Sequence, residues 1–145
     1  FCIGIVFSII TNNTTFGRHL YAMGGNLEAA KLSGISVKKH TLFVFILMGL
    51  LTAIAGLILT ARLDAATTVA GQNFELDAIS AAIIGGTSTM GGVGTVFGSL
   101  IGALVMASLD NGMSLMNLDN TWQYIVKGGI LLLAVWVDVS TRKKV

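Results

Sequence analysis

The chain has 145 residues, 54% of them apolar and only 11% charged, with no proline and a net charge of +2. Soluble domains carry about 25% charged residues, and a mean hydropathy of +0.82 excludes an ordinary solvated globule. A single cysteine, Cys2, excludes an intrachain disulfide. The composition is that of an all-α integral membrane protein, with apolar runs of membrane-spanning length.

The first run, Phe1–Ile10, is apolar from its first residue and lacks an initiator Met. Ten residues make ~15 Å of helix, half a bilayer core. It reads as the end of a transmembrane helix, and the chain as the C-terminal part of a longer protein. There is no basic n-region, so it does not read as a signal peptide. Hydropathy then falls over residues 11–40. A short amphipathic helix is expected within this loop, from Asn26 to Ser33. Asn26 is an N-cap residue type, and Gly34 suits the position just past the C-terminus. Glu28 lies in the first turn, where the helix dipole favours an acid. The sequons at Asn12 and Asn13 matter only if this loop is extracellular.

Residues 41–61 are uncharged and long enough to span, at ~31 Å. Gly49, Ala53 and Gly56 form a small-residue stripe suited to close helix packing. A polar, acidic segment with Asp64, Glu75 and Asp77 follows. Residues 78–109 are again apolar but are cut by a glycine-rich break, Gly85, Gly86, Gly91, Gly92 and Gly94. A polar turn is expected at 110–120. Residues 121–137 form a last span, with Trp122 and Tyr124 at one end and Trp136 at the other, as in aromatic belts.

Seven of the nine Lys and Arg residues lie in residues 11–40 or in the tail: Arg18, Lys31, Lys38, Lys39, Arg142, Lys143 and Lys144. By the positive-inside rule both segments are cytoplasmic. The two acidic loops are then outside, so residues 78–109 must enter the membrane and return. Two full spans need about 40 residues. The expectation is therefore a partly re-entrant pair of 14–16-residue halves, its turn deep and short of, or just reaching, the cytoplasmic face. Irregular backbone at that depth must be buried in protein or line a water-filled cavity. The alternative is one long span with a single loop assigned to the wrong side.

Candidate pathway or gate residues are Asn73, Glu75 and Asp77 beside the broken helix, Thr87 and Ser88 in its break, and Lys127 in the last span. Carboxylates, amides and hydroxyls can replace water around a neutral polyol. They equally cap helices, and Asp77 can simply cap Ala78 onward. An intramembrane lysine marks a functional site by default; the structural reading is snorkelling, or pairing with Asp77 or Asp110. Gly94, Gly98 and Gly102 are spaced for one helix-packing face. No Gly-Lys-Ser/Thr follows the glycines, so a phosphate loop is excluded. The dinucleotide fingerprint fails as well. His19 and His40 read as separate loop residues, with no metal site. No nucleophile–base pair is legible, so no catalysis is expected. Basic residues beside a membrane require no nucleic acid.

The loop from Gly17 to Ile35, Gly17-Arg18-His19-Leu20-Tyr21-Ala22-Met23-Gly24-Gly25-Asn26-Leu27-Glu28-Ala29-Ala30-Lys31-Leu32-Ser33-Gly34-Ile35, resembles the cytoplasmic coupling loop of ABC importer permeases. Glu28-Ala29-Ala30 with Gly34 matches their general "EAA…G" pattern. The Leu-Pro that closes the pattern in the maltose-type branch is missing. A second block, Glu75-Leu-Asp77 through Gly85-Gly86-Thr87-Ser88 to Gly91, Gly92 and Gly94, resembles the C-terminal half of the monosaccharide branch (ribose, xylose, arabinose, galactose), and most of all its xylose permeases.

That resemblance implies a sugar importer in the bacterial inner membrane. Two permease copies would form the pathway, separate cytoplasmic ATPases would hold ATP and Mg, and a periplasmic binding protein would deliver sugar. Asn26, Glu28, Ala29, Ala30, Ser33 and Gly34 would engage the ATPase. No cofactor is expected on this chain. The alternatives are a secondary transporter or channel with a broken-helix site, an accessory subunit without a pathway, and, for the 26–33 helix alone, a surface lying on anionic lipid.

Overall fold

The computed structural model describes residues 2–64 and 71–142. Residues 65–70, part of the acidic loop, and Lys143 and Lys144 of the basic tail lie outside the described residues. Among the described residues seven helices follow in order: α1 (Cys2–Asn13), α2 (Thr15–Gly25), α3 (Leu27–Leu32), α4 (Val37–Leu63), α5 (Phe74–Ile84), α6 (Val96–Leu115) and α7 (Asn120–Arg142). No strand occurs among the described residues. Three helices among the described residues, α4, α6 and α7, are long and apolar enough to cross a membrane.

The 11–40 segment is mostly helical. α1 runs on to Asn13, and the chain turns at Thr14, whose hydroxyl accepts from the Gly17 amide at 3.4 Å. A Cβ on Gly17 would fall on the Thr11 backbone, so only glycine permits this elbow. One residue, Asn26, then separates α2 from α3 and caps both. Its own N–H donates to Ala22 O, and its Oδ1 accepts from the Glu28 and Ala29 amides, both at 3.0 Å.

The broken segment is unequal. α5 has 11 residues and α6 has 20, in place of two similar halves. At ~16 Å, α5 covers half a hydrocarbon core, whereas α6 covers nearly all of it. α6 continues through Asp110 to Leu115, where a polar turn is expected from hydropathy. Asp110 is tolerated inside the helix because it has a cationic partner, described below.

α5 and α6 cross antiparallel with almost no space between their backbones. A Cβ on Gly98 would strike Gly85 O, and one on Gly102 would strike Ala81 O. This pairing buries Ser80, Ala81 and Met106. Gly98 and Gly102 thus supply the packing face expected of them. Gly94 does not, because α6 begins at Val96 and Gly94 lies in the preceding turn. α7 packs along α5 in the same direction.

α4 is different. None of its residues is buried, and added Cβ atoms at Gly49 and Gly56 would meet nothing. The stripe expected to pack a helix has no partner among the described residues. α4 rests on α2 and α3, and a groove of about 850 Å³ opens between it and α1, α2 and α5. Phe7, Leu20, Met48, Leu51 and Phe74 make that groove mostly apolar.

Candidate coupling and pathway sites

α3 is a single short element finished at both ends by its own residues. Past Asn26 the helix runs to Leu32 with Ser33 as its C-cap, and Gly34 at φ +81° stops it. The Gly34 and Ile35 amides return to Lys31 O and Ala30 O, which satisfies the last carbonyls in a Schellman motif. Ser33 Oγ donates to Ala29 O at 2.9 Å. Of the residues expected to meet a partner, Ala30 points inward and is 3% exposed. The outward face is Leu27, Glu28, Ala29, Lys31 and Leu32, with Leu32 90% exposed. A leucine so exposed at the end of a short helix is costly to leave in water.

The turn between α5 and α6 is held from three sides. α5 ends in a second Schellman motif: Gly86 at φ +86° sends its amide to Ile83 O, and the Thr87 amide reaches Ala82 O. Ser88, 7% exposed, organises the turn from within: its N–H donates to Val93 O at 2.9 Å, and its hydroxyl accepts from the Met90 amide at 3.1 Å. On one flank, Asp138 Oδ2 of α7 accepts from both the amide and the hydroxyl of Thr89 at 3.0 Å. On the other, the Tyr21 hydroxyl of α2 donates to Gly94 O at 2.6 Å. There Gly24 lies directly against Gly91 and Gly92, with no side chain between the backbones. Gly91 and Gly92 have φ of +90° and +75°, which glycine adopts without strain.

The other end of α5 is ionic. α5 starts at Phe74, so Asp77 sits in its first turn and does not cap it; Asn73, at φ +66°, occupies the cap position without a side-chain bond. Asp77 points instead to α7. Lys127 Nζ donates to Asp77 Oδ2 at 2.9 Å and lies 2.9 Å from Asp110 Oδ1 of α6. Side-chain exposures are 14% for Lys127, 19% for Asp77 and 36% for Asp110. The Asp110 contact is a close ion pair outside hydrogen-bond geometry, and Asp77 Oδ1 is buried without a partner among the described residues. One lysine thus joins three helices and faces two acids.

A family profile described as "Branched-chain amino acid transport system / permease component" matches residues 2–135. The chain belongs to this permease family. It is 64% identical over 135 residues to the xylose transport system permease protein XylH of Haemophilus influenzae, covering 93% of this chain and 36% of that protein. The XylH of Escherichia coli K12 is 59% identical, with 93% and 34% covered. The ribose import permease protein RbsC of Bacillus subtilis is 45% identical over 140 residues, with 97% and 42% covered. The chain therefore spans about a third of the length of the XylH proteins it matches. No solved structure matches it.

In this permease chain the six pathway candidates do not form one site. Asn73, Glu75 and Asp77 lie at one end of α5; Thr87 and Ser88 lie at the other, ~15 Å away. Asp77 and Lys127 meet each other, while Glu75 is exposed and lines the groove facing α4. Thr87 Oγ1 is 3.4 Å from Ser99 Oγ, across the α5–α6 crossing.

One contact was invisible in the sequence. His19 and His40 are not separate loop residues but partners on α2 and α4, with His19 Nδ1 3.1 Å from His40 Nε2. His40 Nδ1 faces Ser36 O at 3.0 Å, and a carbonyl only accepts. When both rings are neutral, Nδ1–H of His40 donates there and Nδ1–H of His19 donates to His40 Nε2. Among the described residues, no group of three or more His, Cys, Asp and Glu could hold a metal ion. Around the pair, His40 and Phe43 share a face of α4, and Phe16 of α2 packs on the rings of both.

Proposed function

We propose that this chain is the C-terminal part of the permease subunit of an ATP-driven monosaccharide importer, with xylose as the first sugar to test. Its role is to form part of the translocation pathway and to receive work from separate ATPase subunits that hold ATP and Mg. It carries no ATPase chemistry of its own. The observation that carries the reading is α3, a helix closed at both ends that presents Leu27, Glu28 and Leu32 outward beside α4, which is long enough to cross a membrane. The XylH and RbsC relatives supply the transport class through their names. Lysines beside lipid also suit a surface helix, but capping at both ends and an exposed leucine face suit insertion into a protein cleft.

In this reading residues 11–40 and the C-terminus face the cytoplasm of a bacterium, and the permease sits in the inner membrane. The placement of seven of the nine Lys and Arg residues supports that orientation. A second copy of the permease completes the pathway, and a periplasmic sugar-binding protein loads it. A channel or ion-coupled filter at the glycine break is less well supported, because the turn's polar groups are already engaged by Ser88, Asp138 and Tyr21.

The test is reconstitution of the full-length permease with its ATPase and binding protein. Gly34→Val forces a β-branched residue into a left-handed position and dismantles the end of α3. Together with Glu28→Ala, it is expected to leave ATP hydrolysis running while uptake of labelled D-xylose collapses. Unchanged uptake, or failure of any ATPase to co-purify with the wild type, overturns the importer reading.

A further inference from the structure

The two features that stood out in the sequence, the α3 loop and the glycine break, are in direct contact. We propose that Tyr21 and Gly24, on the helix that leads into α3, are positioning residues that pass movement of α3 to the 85–95 turn and so to α5 and α6. The inference rests on the importer reading and adds a route within this chain.

The argument begins with stiffness. Only Asn26 lies outside helix between α2 and α3, and it is hydrogen-bonded in both directions. A push on α3 therefore moves the last turn of α2 with it. That turn ends against the break. A Cβ on Gly24 would stand 2.6 Å from Gly92 N, and one on Gly91 would stand 2.5 Å from Gly24 O. Side chains absorb displacement by changing rotamer; two backbones in contact have none to change, so a small shift is passed on. The Tyr21–Gly94 bond adds a directional tie, so that α2 can pull the turn as well as push it. α4 provides no comparable path, because it rests on α2 and α3 and not on the α5–α6 crossing. Where α1 meets α6 at Gly4, a side chain, that of Leu100, stands between the backbones.

The turn is in turn fixed to what must move. Gly85 is the C-cap of α5, and Thr95 is the N-cap of α6, with its hydroxyl accepting from the Gly98 amide at 3.0 Å. Both helix ends thus belong to the same rigid turn. Asp138 anchors its opposite side to α7, so displacement from α2 acts against a fixed point.

The experiment measures labelled D-xylose taken up per ATP hydrolysed, in proteoliposomes of the full-length permease with its ATPase and binding protein. Tyr21→Phe removes one hydroxyl and no other atom, and is expected to lower the ratio about fivefold. Gly24→Ala adds a methyl where Gly92 already stands and is expected to lower it further. Gly25→Ala, the next residue on the same helix, adds its methyl into open space and should leave the ratio unchanged. A purely structural contact would lower both rates together and leave their ratio intact. If Tyr21→Phe and Gly24→Ala keep the wild-type ratio while Gly34→Val loses it, this route is wrong and the importer reading stands. If Gly34→Val also keeps it, the importer reading falls. Should Gly24→Ala fail to assemble, the Tyr21→Phe ratio decides.

Discussion

At its first turn α5 is held by charge, with Asp77 on Lys127 and Lys127 also on Asp110 of α6. At its last turn it is held by contact between backbones: Gly85 on Gly98, and Gly91 and Gly92 on Gly24. The ionic end reaches across gaps with long side chains and can adjust to small changes in spacing. The glycine end has no such slack, and one methyl group is enough to open it. In the importer proposed above, such ends would suit different tasks. The ionic end suits a pivot that stays joined, and the glycine end suits a contact that transmits displacement.

The largest expected effect comes from removing the shared cation. Lys127→Ala leaves two neighbouring carboxylates in a poorly solvated place with no counter-charge. The expected loss is about 3 kcal/mol, the low end for breaking a buried pair. Thermal unfolding of the full-length permease in detergent measures it. The double variant Asp77→Asn/Asp110→Asn, which strands the lysine instead, should cost a similar amount. If both variants unfold like the wild type, the cluster does not anchor this end.

At the glycine end the test lies within one helix. Alanine is favoured over glycine inside a helix by about 1 kcal/mol. Gly112→Ala of α6, where a methyl meets nothing, should therefore raise stability by up to about 1 kcal/mol. Gly98→Ala carries the same local gain but drives its methyl into Gly85 O, and overpacking should leave it about 2 kcal/mol less stable. Opposite signs on one helix are the expected result. Equal shifts would mean that the α5–α6 crossing is looser than its geometry.

What the sequence disclosed follows from the range of each interaction. The α3 caps were legible because Asn26 and Gly34 act on neighbours within four residues. The family was legible because its pattern is local. The unequal halves were hidden: Asp110 looks like a loop residue until Lys127, seventeen positions away, is known to face it. The stripe at Gly49, Ala53 and Gly56 predicts close packing, yet among the described residues a Cβ added at Gly49 or Gly56 meets nothing. The His19–His40 pair and the contact of Gly24 with Gly91 and Gly92 join residues whose spacing follows no helical period, so only the fold brings them together. Of the α3 loop, the caps could be read off, but not the inward turn of Ala30 or the helix α2 that precedes it. Asp77 and Asp110 could be read only as alternative partners of Lys127, and the fold brings both to it. The separation of Thr87 and Ser88 from the acids followed from placing the glycine break a helical half away from the outside loop.

The smallest effect gives the finest discrimination. Asp110→Asn removes one charge from a cluster that holds one excess negative charge. What remains is a balanced pair, Lys127 with Asp77, already in hydrogen-bond geometry at 2.9 Å. Asp110 is also the most exposed of the three, so its contribution is screened. The expected cost is under about 1 kcal/mol. Asp77→Asn should cost more, because it leaves Lys127 with the exposed partner alone and breaks the tie between α5 and α7. The difference between the two single variants, read from the same unfolding experiment, measures how unequally the lysine is shared. If Asp110→Asn proves the more damaging, α6 rather than α5 is what Lys127 secures, and the pivot belongs on α6.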